Sequence, residues 1–116
     1  MDFINPALAF ISIFLGLIGW ISPRYVMESV DLKAGSTSMG ASEIRAASGA
    51  MFVGLGVGAV LIGSPTAFAM MGAGWLCAGM GRATSLIFDG QTQKKWVFML
   101  VEVAVGGVLV AGNWPT

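Results

Sequence analysis

The chain has 116 residues, of which 56% are hydrophobic and 10% charged, and its six basic and six acidic side chains cancel. That leaves too little polar material to clothe a water-soluble surface, and the lack of any basic tract excludes a nucleic-acid interface. With no histidine and a single cysteine, Cys77, the chain has no zinc-type cluster, no imidazole for haem or pigment and no internal disulfide.

The hydrophobic residues come in blocks long enough to cross about 30 Å of hydrocarbon at roughly 1.5 Å per residue. The first predicted span covers 3–22, with Pro6 in its first turn, Trp20 at headgroup level and Pro23 as its stop. Only Asp2 precedes it, whereas a secretory leader carries a positive n-region, so the run reads as a retained span. Residues 23–42 form a polar loop holding Arg24, Glu28, Asp31 and Lys33, with room for a short interfacial helix within Tyr25 to Leu32. The second span covers 43–62, with Ser42 as its cap and Glu43 in its first turn. Gly63-Ser64-Pro65 then predicts a tight reversal, since Gly suits an αL terminus, Ser an N-cap and Pro a first helical position. The third span covers 66–88, Asp89-Gly90-Gln91-Thr92 turns the chain with Thr92 as a cap, and the fourth covers 94–112 between Trp96 and Trp114. The expected fold is all-α: one polytopic domain of four transmembrane helices in a compact bundle.

Small residues recur at intervals of four, a spacing that lets membrane helices approach closely. Ala46, Ala50, Gly54 and Gly58 form the longest stripe, on the second span; Gly74, Ala78 and Arg82 share one on the third, widened by Gly72, Gly79 and Gly81; Gly107 and Ala111 pair on the fourth beside Gly106. Cys77 reads as a small apolar residue buried among Trp75, Leu76 and Ala78. Arg24, Lys33, Arg45, Lys94 and Lys95 all fall near one end of the spans, which by the positive-inside rule makes that end cytoplasmic and both termini periplasmic in a bacterial inner membrane.

Arg82 and Glu102 are charges inside otherwise apolar spans. Each would cost about 2.5–3.5 kcal/mol unpaired on insertion-type scales. Arg82 lies about 9 Å from the end of the third span, and Glu102 about 12 Å into the antiparallel fourth from the same side, so the depths match a direct or water-bridged pair. Glu43, Arg45 and Asp89 belong to the same side and are expected to join them in an intramembrane polar cluster. Such a cluster suits a structural lock between helices, an anion site or a proton relay through Glu102. No serine has a histidine partner and no phosphate loop or metalloenzyme signature is present, so neither enzyme activity nor a cofactor is expected.

From Ser42 to about Gly112 the chain resembles a family of small bacterial membrane proteins catalogued as domain of unknown function 4345. The resemblance rests on Ser42-Glu43-Ile44-Arg45-Ala46, the glycines of the second span, Gly81-Arg82, Asp89-Gly90 and Glu102. It implies a four-helix membrane protein whose characteristic polar residues are Glu43, Arg45, Arg82, Asp89 and Glu102, and it supplies no activity. The expected role is a non-catalytic accessory or structural subunit of a bacterial inner-membrane respiratory or photosynthetic complex, with lipids and larger membrane subunits as partners. The alternative is a small oligomeric transporter of a small anion or proton-coupled solute that uses Glu102 and Arg82. Four-helix multidrug exporters place their key glutamate in the first span, which here has no acid beyond Asp2.

Overall fold

A computed structural model describes residues 1–116, and every regular element in it is helical. The elements are α1 (Ile4–Ile21), α2 (Pro23–Ser29), α3 (Met39–Glu43), a π-helical segment (Ile44–Ala50), α4 (Met51–Ile62), α5 (Pro65–Phe88) and α6 (Gln93–Asn113). The α3, π and α4 segments run on as one helix, Met39–Ile62. This helix, α1 and α6 are long and apolar enough to cross a membrane, so the protein is an all-α, multi-span membrane protein. At 24 residues α5 has the length, but Arg82 and four glycines dilute its apolar character, and it is not among those three.

The residues form two compact units, 6–61 on the one hand and 1–5 with 62–116 on the other. In the first, α1 lies against the π segment and α4. A Cβ added to Gly16 would sit 2.6 Å from the Gly49 carbonyl oxygen, and one added to Gly49 would sit 2.6 Å from the Trp20 amide nitrogen. Backbone therefore touches backbone, and no side chain larger than hydrogen fits between. Farther along, Gly56 receives Ile13 and the Ala9 carbonyl. The polar loop is more ordered than its composition suggests. Pro23 stops α1 and also begins α2 at a first helical position, where its missing donor is not needed. The end of α2 is a Schellman closure: Leu32 N donates to Met27 O at 2.8 Å and Asp31 N to Glu28 O at 3.2 Å, around Asp31 at φ 60.

The second helix starts at Met39, ahead of Ser42, whose amide already donates to Ser38 O at 3.0 Å. Ser42 thus lies inside the helix instead of capping it. The expected stripe of Ala46, Ala50, Gly54 and Gly58 is also not the contact face within this unit. Ala46 and Gly54 are exposed, and a Cβ at Gly54 or Gly58 would meet nothing within 4 Å. The seam follows another face of the helix, whose first part lies on the π segment. Its wider turn sets the buried Ile44 and Gly49 five positions apart, after which ordinary α spacing carries the seam to the buried Gly56 and Ala59. A stripe drawn at constant spacing drifts off that seam.

The second unit is an antiparallel hairpin of α5 and α6. Gly63 at φ 71 ends α4, Ser64 Oγ accepts from Ala67 N at 3.3 Å and Pro65 opens α5. At the far end Gly90 adopts φ 87, Thr92 Oγ1 accepts from Lys95 N at 3.3 Å, and Lys95 Nζ donates to the carbonyls of Asp89 and Gly90 at 3.2 and 2.8 Å. The seam runs through Gly72 against Leu109, Leu76 against Gly106, and Gly79 against Val103. Gly74 and Gly107 have open space instead, and Ala78 and Ala111 are exposed, so the contact face is rotated one or two residues from the expected stripes. Cys77 is exposed, not buried, because Leu76 and Gly79 take the seam and Cys77 faces away from it.

Asn5 and Asn113 close this unit with a reciprocal amide pair: each Nδ2 donates to the other's Oδ1, at 2.7 and 2.8 Å. Asn113 Nδ2 also donates to Leu109 O at 2.8 Å. Both side chains are buried, so their polar atoms are satisfied by each other, as a water-poor interior requires.

Gly49→Ala and Gly106→Ala should each destabilise the fold by about 1–3 kcal/mol through overpacking against backbone. Gly54→Ala should be neutral or gain up to about 1 kcal/mol in helix propensity. Unfolding in mild detergent, followed by helical circular dichroism, distinguishes the two groups; equal losses at all three positions would refute the assigned seams.

Candidate functional site

In α6, Phe98, Glu102, Gly106, Leu109 and Asn113 follow one another at helical spacings of three and four, so they share the face turned to α5. The small residues along that face bring the α5 and α6 backbones close. They also deliver Arg82 to Glu102, with Nε donating to Oε1 at 3.1 Å. The guanidinium lies over the Phe98 ring, 5.1 Å from its centroid. Phe98 and Glu102, one turn apart, therefore grip the same cation, one through its ring face and the other through its carboxylate.

The two partners differ in access. Glu102 keeps 14% of its side chain exposed and Arg82 keeps 38%. A guanidinium carries five N–H donors, and Glu102 engages the Nε donor. The terminal nitrogens remain available to a second oxyanion, so the pair can act as a lock or as half of an anion site. Glu102, the acidic member, can also carry a proton.

Of the other residues expected in this cluster, Asp89 ends α5, about 10 Å along the axis from Arg82 by helical rise. It acts through its backbone, whose carbonyl accepts from Lys95. Glu43 and Arg45 belong to the 6–61 unit, where Arg45 Nη1 donates to Trp20 O at 2.6 Å. Arg45 is thus a helix-end donor to α1, since carbonyls in a last turn lack intrahelical partners and basic side chains commonly satisfy them. Phe98 was not evident as a site residue from the sequence; its spacing of four from Glu102 is the signal that finds it. Asn5 and Asn113 stand 108 positions apart, and no local pattern links them. No group of three or more His, Cys, Asp or Glu side chains converges as a metal site.

A double-mutant cycle measures the pair. Arg82→Leu and Glu102→Leu should each reduce the yield of folded protein, because each leaves a charge without its partner, at a cost of up to about 2.5–3.5 kcal/mol where a helix crosses hydrocarbon. The double replacement should recover part of it, with a coupling of about 1–3 kcal/mol. Strictly additive losses would show that the pair contributes no net coupling.

No curated protein and no solved structure matches the chain. The family described as Domain of unknown function (DUF4345) matches residues 3–112, which extends the resemblance back from Ser42 through the whole of α1. Covering nearly the entire sequence, that match places the chain in the DUF4345 family.

Proposed function

We propose that the protein is a small membrane transporter that works as an oligomer and moves a small anion or a proton-coupled solute past Arg82 and Glu102. The observation that carries this reading is the ion pair itself, joined at 3.1 Å on apolar helices while the arginine stays 38% exposed. A fully enclosed pair could serve only as a lock, whereas one that exchanges ligands has to be reachable. One copy supplies few helices with which to enclose a path. The open surfaces at Gly54, Gly58, Gly74 and Gly107 suit close approach by further helices.

Those same surfaces also favour a second reading, a non-catalytic accessory subunit of a bacterial inner-membrane complex whose partner helices and lipids cover them. Reconstitution separates the two. The transporter reading expects purified protein in liposomes to pass a small anion or protons, with flux falling to background in Glu102→Gln while the protein remains folded. Native mass analysis in mild detergent should give a homo-oligomer. Absence of flux, together with recovery only in a larger complex of other chains, would replace transport by the accessory role.

On either reading α5 serves as a fourth span. Arg82 is tolerated there because Glu102 neutralises it, and its long stem lets the charged head reach toward the interface. Four spans, with Arg24, Lys33, Arg45, Lys94 and Lys95 on the cytoplasmic side, put both termini in the periplasm. Single cysteines at Asp2 and Thr116, in a Cys77→Ser background, should react with a membrane-impermeant maleimide in intact spheroplasts, and one at Lys33 should react only after lysis. Labelling of just one terminus would reduce the spans to an odd number.

A further inference from the structure

Where α1 ends, Pro23 offers no backbone N–H, and the last carbonyls of the helix need other donors. Arg45 supplies one through Nη1 to Trp20 O. The turn at which it does so opens into a groove of about 800 Å³, lined by Trp20, Ser22, Arg24, Tyr25, Ser42 and Arg45 together with smaller neighbours. Two arginines and no acidic residue line it. The Arg45 side chain makes one hydrogen bond, and the Arg24 side chain makes neither a hydrogen bond nor an ion pair. The Ser22 and Ser42 hydroxyls likewise have no partner in the fold. Two like charges sharing a groove repel unless an anion sits between them, and planar forks with free donors match phosphate oxygens.

The depth of the groove narrows the source of that phosphate. It lies at the exit of α1, an apolar helix of 18 residues and about 27 Å by helical rise, beside Trp20 and Tyr25, which are both exposed. Indole and phenol rings favour the headgroup layer, where basic grooves meet lipid phosphates. We propose that this groove is a binding site for the phosphodiester headgroup of an anionic phospholipid, held by Arg24 and Arg45 with Ser22 and Ser42 as further donors. A zwitterionic lipid fits poorly, because its own cation would enter a space already carrying two positive charges. This site is separate from Arg82 and Glu102 and does not rest on the transport reading.

The test uses the full chain in bilayers of equal phosphatidylglycerol and phosphatidylcholine, with retained lipid counted by native mass spectrometry after release. Wild type should keep phosphatidylglycerol preferentially, and Arg24→Gln should reduce the preference about fivefold, the weight of one basic residue near an anionic surface. Arg24 bonds to nothing else in the fold, so this variant keeps its structure. Arg45→Lys preserves the charge while removing the fork, and should lie between wild type and Arg24→Gln. Equal retention of the two lipids by wild type, or a preference that Arg24→Gln leaves unchanged, would overturn the proposal. Displacement of the lipid by millimolar inorganic phosphate would overturn the lipid as source and leave a soluble-anion site.

Discussion

Helices in hydrocarbon gain nothing from hiding apolar side chains from one another, because lipid tails are equally apolar. Association has to come from close packing and from polar contacts that lipid cannot replace. Each compact unit of this protein meets that constraint in the same way. Gly16, Gly19 and Gly49 in one, and Gly72, Gly79 and Gly106 in the other, remove the side chains that would hold the backbones apart. Dispersion contacts, individually about 0.1–0.2 kcal/mol, then accumulate along the seam.

Polar contacts are few and each is matched. The hairpin has an amide pair, Asn5 with Asn113, at one end of α6 and an ion pair, Arg82 with Glu102, nearer the other. No buried side-chain nitrogen or oxygen lacks a hydrogen-bond partner. The amide pair is sealed and uncharged, which suits a clasp. The ion pair is charged and partly open, which suits a group that exchanges partners. Access and charge, not mere presence in the span, set the two apart.

Much of this was legible in the sequence where the signal was local. Gly63-Ser64-Pro65 and Thr92 behave as their backbone preferences require, since a positive φ, a capping hydroxyl and a first-turn proline are decided within a few residues. Arg82 and Glu102 were legible as partners because two charges at matched depth in antiparallel segments have few alternatives. The seams were harder. Counting glycines at every fourth position selected Gly54, Gly58, Gly74 and Gly107, while the tight approaches use Gly49, Gly56, Gly72 and Gly106. In the second helix a π turn changed the period midway, and nothing in Ile44 to Ala50 announces it. In the hairpin the small residues occur on adjoining faces, and the bulk of Leu76 and Leu109 decides which face docks. The role of Arg45 was also out of reach, because its partner is a backbone carbonyl 25 positions away.

The π turn gives the second helix a kind of slack. One residue more than an α-helix needs is wound into Ile44–Ala50, which rotates everything before it by about 100° relative to everything after. Arg45 lies within that turn and reaches the end of α1, while Gly56 beyond it docks on Ile13 under ordinary α phase. The two ends of one helix are thereby uncoupled in register: the docking end answers to packing against α1 and the arginine end to the groove. Losing a single residue within the turn would relax it into plain α-helix without breaking the rod, and would shift the phase of Arg45 against Gly56. An inserted residue in a transmembrane helix is usually a defect to be absorbed; here it works as a swivel that lets a packing surface and a polar surface be tuned separately.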